Sequence, residues 1–136
     1  NARFGDPETQ PVLMRLAGDL VPVLLAAARG DLSGVTLEVD PRAAVGVVLA
    51  AEGYPGKPTT GDAIEGADGP FPEGVQVFHA GTARAADGRV VTSGGRILTV
   101  CALGDGLEEA ARRAYQAVGR IRFRGAQHRT DIGRRP

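Results

Sequence analysis

The chain has 136 residues, 43% of them apolar but only 4% aromatic, with no Trp and with 16 basic side chains against 16 acidic ones. A core of Val, Leu, Ile and Ala is within reach, but few rings remain to stack bases or sugars, and a net charge of zero draws in neither nucleic acid nor a membrane surface. No apolar run reaches the ~20 residues of a membrane-spanning helix, there is no signal-peptide pattern, and the one cysteine, Cys101, excludes an internal disulfide and suits a reducing cytoplasm.

The first ten residues, Asn1 to Gln10, read as a turn followed by a helix start. Gly5-Asp6-Pro7-Glu8 favours turn or N-cap geometry, and Pro11 suits a first helical turn. A short helix is expected to about Leu16. A second is expected to be capped by Asp19, with Pro22 in its first turn and Gly30 closing it. Val35 to Val39 alternates as a half-buried strand. Asp40-Pro41 turns the chain into Ala43 to Ala51, whose continuous apolar run predicts a strand buried on both faces. The Gly/Pro-rich stretch from Glu52 to Asp62 is an irregular loop, with a short strand at Ala63 to Glu65. Val75 to Ala80 alternates again. Asp87-Gly88 is a hairpin turn leading to Arg89 to Thr92, and Gly94-Gly95 leads into a buried strand, Ile97 to Leu103. Cys101 lies inside that run and reads as a core residue rather than a nucleophile. Leu107 to Ile121 carries apolar residues at helical spacing, and Arg122 to Pro136 has no periodicity. The whole is an α+β chain: a lead-in helical segment over residues 1–34, then a small, mainly antiparallel β domain over 35–136, closed by one helix.

The even charge balance hides a basic end. Residues 112–136 hold eight arginines against one acid, Asp131, while the remainder holds eight basic residues and fifteen acids. This stretch is either a solvated helix face and terminus or an element that completes an anion site. At the other end, Asn1 offers a hard oxygen to a divalent cation. Arg3, two residues on in an extended segment, projects to the same face and could stabilise a phosphoryl group in transit. A site this dense needs a second wall, and no methionine opens the chain, so a C-terminal part of something larger is expected.

The string Asn1-Ala2-Arg3-Phe4-Gly5-Asp6-Pro7-Glu8-Thr9-Gln10 resembles the signature of the glycinamide ribonucleotide synthetases, the phosphoribosylamine–glycine ligases of the ATP-grasp class. The likeness continues through Asp19-Leu20, Gly30-Asp31-Leu32, Ala51-Glu52-Gly53-Tyr54-Pro55-Gly56, Val77 to Thr82, Gly94-Gly95-Arg96 and Arg129-Thr130-Asp131-Ile132-Gly133. It implies an enzyme that phosphorylates glycine with ATP and joins the acyl phosphate to 5-phosphoribosylamine, giving glycinamide ribonucleotide in de novo purine synthesis. It further implies a lead-in from the end of an ATP-grasp core and a C-terminal domain of hybrid-motif type.

By the same resemblance Asn1 is a ligand of Mg²⁺ or Mn²⁺, paired with a Glu that would precede residue 1, and Arg3 is catalytic, near the transferring phosphate. Asp6 and Glu8 lie beside the glycine and phosphoribosylamine pocket, although helix capping would explain their spacing equally well. Arg129 reaches the ribose phosphate with Asp131 holding it, or the two merely pin the tail to the surface. The loop at 52–56 faces the cleft but lacks a P-loop ending. The N-terminal and ATP-binding portions of the family are missing, so the chain alone is expected to be inactive. His79 and His128 have no second ligand nearby and read as structural and exposed, respectively. Two other classes compete: a non-catalytic hybrid-motif or carrier-like module, for which Lys57 is the one modifiable lysine, and a basic-tailed nucleic-acid binder, opposed by the missing aromatics.

Overall fold

The computed structural model describes residues 2–134; Asn1, and with it the expected metal ligand, lies outside the described residues. In chain order the elements are α1 (Thr9–Met14), β1 (Leu16–Ala17), α2 (Leu20–Arg29), β2 (Glu38–Val39), β3 (Ala43–Ala50), β4 (Val75–His79), β5 (Thr82–Arg84), β6 (Val90–Thr92), β7 (Arg96–Gly104) and α3 (Leu107–Val118). They make a small α+β fold with antiparallel sheets and few helices.

Local chemistry explains the lead-in helices. The Asp19 carboxylate accepts from the Val21 N–H at 2.9 Å and caps α2. Pro22 falls in the first turn, where no N–H is needed, and Gly30 closes the helix in the left-handed region at φ 75°. α1 is shorter than the spacing predicts. It ends at Met14, because Leu16 and Ala17 leave the helix to pair with Val39 and Glu38.

That pairing also corrects the expected strand at Val35 to Val39. Only Glu38–Val39 is extended, and both residues are exposed. Alternation alone does not make a strand there: Leu37 and Val39, on its apolar side, remain 44% and 51% exposed. Ala63 to Glu65 is likewise two isolated bridges, Ala63 to Val91 and Glu65 to Arg122, rather than a strand.

The central sheet has the order β3-β7-β4. β7 is the middle strand, and its residues from Ile97 to Gly104 are all buried, as a continuous apolar run requires. β3 departs from that expectation. Val45, Val47 and Leu49 are buried in the core, but Ala44, Gly46 and Val48 are only half-buried. One face of β3 therefore packs inward with the period-2 alternation of an edge strand, and the other is left partly open.

α3 covers the inward face with Ala110, Ala114, Ala117 and Val118. Small side chains let it lie close to Val47, Leu98 and Val100, each fully buried; burying such a side chain is worth about 1.5–3 kcal/mol. The helix stops at Val118, and Ile121 joins the core from the turn beyond. The segment after α3 runs back along the edge of β3. Gln127 and Ala50 exchange backbone hydrogen bonds of 2.8 and 3.0 Å, which closes part of an otherwise unpaired strand edge.

Candidate functional site

The half-open face of β3 is the floor of a cleft of about 470 Å³. Gly46, Val48 and Ala50 form the floor, Pro7 and Arg96 one side, and Tyr54 and the 127–132 segment the other. Three stretches singled out in the sequence thus meet here: the turn at 5–8, the loop at 51–56 and the tail at 129–133.

The turn is fixed from within. Gly5 is buried, and its carbonyl accepts from the Thr9 N–H at 3.1 Å and from the Thr9 hydroxyl. Asp6 does not cap α1. Its Oδ1 accepts from Gln10 Nε2 at 3.0 Å, and its Oδ2 pairs with Arg96 Nε at 3.0 Å. Glu8 occupies the N-cap position without a side-chain cap bond, is exposed, and does not line the cleft. Arg3 is also exposed. Its Nη1 donates to the Phe4 carbonyl at 2.9 Å, away from the cleft lining.

The opposite wall is tied to the sheet by Gln127, whose Nε2 donates to the carbonyls of Ala51 at 2.8 Å and Tyr54 at 3.0 Å. The Tyr54 ring lies against Gly95, where a Cβ would collide with it, while a Cβ on Gly94 would stand 3.1 Å from Gly81 Cα; the two glycines answer two different close approaches. Arg129 lines the cleft and forms a two-pronged ion pair with Asp131, its Nε donating to Oδ1 at 2.8 Å and its Nη2 to Oδ2. The Arg129 guanidinium holds the Asp131 carboxyl below the usual carboxylate range. His128 also lines the cleft, its ring centroid 6.1 Å from that of Tyr115.

The cleft thus brings together the Asp6 turn, by way of Arg96, and Arg129; it does not include Arg3 or Glu8. Tyr54 and Arg96 stand in motifs of the family resemblance that assigned them no role, and Gln127 lies in none of those motifs; all three line the cleft. Arg96 is the most telling, because it pairs with a carboxylate ninety positions away, and only the fold reveals that. Chemically the site offers two guanidinium groups, Arg96 and Arg129, over an apolar floor, which suits an anionic ligand with a small organic body.

Among the described residues no three His, Cys, Asp or Glu side chains gather as a cation site, and Asp6 is already taken up by Arg96 and Gln10. The described residues do not by themselves form a divalent-metal centre. Cys101 is fully buried, and burial pushes its thiol up to about 12, so it is a core residue. His79 is exposed on β4, with Nδ1 3.2 Å from Thr82 Oγ1. Lys57 stands in an irregular turn, not at the tip of a two-stranded hairpin as a carrier lysine would. No helix among the described residues is long and apolar enough to cross a membrane.

Residues 44–135 match the family model described as "Phosphoribosylglycinamide synthetase, C domain". The phosphoribosylamine–glycine ligase of Caulobacter vibrioides is 55% identical over 134 residues, covering 98% of this chain and 31% of that protein. The corresponding ligase of Vibrio vulnificus is 50% identical over 135 residues, covering 99% of the chain and 31% of that protein. A crystal structure of the Thermotoga maritima phosphoribosylamine–glycine ligase superposes with a TM-score of 0.78 at 38% identity, covering 95% of this chain and 31% of that one. The chain spans just under a third of the length of the relatives it matches.

Proposed function

Because the chain belongs to the phosphoribosylglycinamide synthetase C-domain family, we propose that it acts as the C-terminal portion of an ATP-dependent ligase joining glycine to 5-phosphoribosylamine. In this reading ATP phosphorylates the glycine carboxylate. The amine of the phosphosugar attacks the acyl phosphate, and glycinamide ribonucleotide, ADP and phosphate leave. The observation that carries the reading is the convergence of the 5–8 turn, the 51–56 loop and the 129–133 tail on one cleft lined by Arg96 and Arg129.

Within that reading the two guanidinium groups bind the phosphate of the phosphosugar through charge-assisted hydrogen bonds. Asp6 acts through Arg96: an arginine held at Nε by a carboxylate keeps its terminal nitrogens for a ligand. Asp131 orients Arg129 through both Nε and Nη2, which leaves Nη1 as the free terminal nitrogen for a ligand. Glu8 borders the glycine and phosphosugar pocket from outside the cleft. Arg3 stabilises the transferring phosphoryl group, and Asn1 supplies one oxygen to a Mg²⁺ or Mn²⁺ site; both act only beside groups from the rest of the enzyme. Residues 1–34 close the ATP-grasp core, and residues 35–136 form the hybrid-motif domain. The enzyme works in the cytoplasm, consistent with a lone, buried, unpaired cysteine.

Stabilising an acyl-phosphate transition state takes groups on both sides of the reacting centre. The chain alone is therefore expected to form no ADP when given ATP, glycine and 5-phosphoribosylamine. The full-length enzyme should form ADP only when both other substrates are present. ADP formation by the isolated chain, or formation independent of glycine, would contradict the proposal.

A further inference from the structure

The ion pair between Arg129 and Asp131 is open to solvent, with side chains 73% and 59% exposed, and exposed pairs fix geometry weakly. Something else must hold the backbone from which Arg129 projects. α3 supplies it. The Tyr115 hydroxyl donates to the Arg129 carbonyl at 2.9 Å and accepts from the Ile132 N–H at 3.0 Å. One oxygen thus bridges both ends of the 129–132 turn, using its donor and an acceptor site at once. Its neighbours fasten the same segment: Gln127 is paired to Ala50 on one side. On the other, Gly133, at φ 75°, packs so closely that a Cβ there would stand 3.0 Å from Ala111 Cβ and 3.2 Å from Val45 Cγ2. The Arg129 side chain hangs over the cleft between these anchors.

We propose that Tyr115 is a positioning residue for ligand binding: its hydroxyl sets the backbone that aims the Arg129 guanidinium into the cleft. The proposal rests on the reading of Arg129 as a phosphosugar-binding group. Tyr115 itself does not line the cleft and acts only through the tail. Nothing in the sequence marks it, since Tyr115 lies among the inward positions of an amphipathic helix and reads as core.

The test uses the full-length ligase carrying this segment, with Tyr115→Phe, Arg129→Ala and the double variant. Tyr115→Phe keeps the ring and deletes only the bridge. The Ile132 amide should then exchange its hydrogen at least about tenfold faster. The KM for 5-phosphoribosylamine should rise about tenfold, as expected for lost hydrogen bonds, with kcat and the KM for ATP within about twofold. In the Arg129→Ala background the same change should add less than about twofold, because the group it aims is gone. Unchanged exchange at Ile132 would overturn the bridge. Faster exchange with an unchanged KM, or equal losses in every kinetic parameter, would overturn the positioning role. If Arg129→Ala leaves the KM for 5-phosphoribosylamine unchanged, the reading of Arg129 fails and the positioning role fails with it, whatever the exchange rates show.

Discussion

Asp6 and Arg96 show how a residue's role depends on what the fold sets beside it. From spacing, Asp6 is equally a helix cap and a pocket carboxylate. In the folded chain it caps nothing; it joins the 5–8 turn to the start of β7 through Arg96. Each arginine lining the cleft thus has a carboxylate partner, which keeps a charged fork oriented without neutralising its remaining donors. Cys101 is the opposite case, because its surroundings agree with its sequence context. A thiol held up to about 12 by burial is almost wholly protonated at pH 8, and the thiolate is the reactive form. Native protein treated with iodoacetamide at pH 8 should therefore take up no label at Cys101, and urea-unfolded protein should label fully. Rapid labelling of the native protein, read by intact mass, would show that the strand is not closed over it.

At the scale of elements, legibility followed the number of partners an element needs. α2 was readable end to end, because Asp19, Pro22 and Gly30 act locally. β7 was readable because a central strand is buried whatever its neighbours are. β3 was half-readable: its apolar run predicts burial on both sides, but one side is the cleft floor, whose walls come from residues far away in sequence. The strand expected at 35–39 is shortened to Glu38–Val39, exposed residues whose pairing partner is the two-residue β1. α2 poses a related question, for Val21, Leu24 and Leu25 are 68%, 48% and 47% exposed. An apolar face of this kind calls for a covering surface, and the proposed ATP-grasp core would provide one. Leu24→Ser combined with Leu25→Ser should lower the melting temperature of the full-length ligase by roughly 2–4 °C or more. In the isolated chain the same change should shift unfolding by no more than about 0.5 kcal/mol. Equal effects in both would mean that α2 is not covered by the rest of the enzyme.

For the molecule as a whole, the tail paired along the edge of β3 and the turn tied to β7 bring the two ends of the chain to one cleft. The motifs that identify the family were legible in order along the sequence. Their meeting place was not, because it depends on the antiparallel register that sets Arg96 beside Ala50. That register, with the Gln127 pairing to Ala50, gathers distant segments around one cleft. The most direct measurement is the steady-state kinetics of the full-length ligase with Arg96→Ala. Losing a charge-assisted contact to a phosphate should raise the KM for 5-phosphoribosylamine by about 10- to 100-fold, leaving the KM values for ATP and glycine within about twofold. An unchanged KM for the phosphosugar, or parallel losses for all three substrates, would contradict the assignment of this cleft to the phosphosugar.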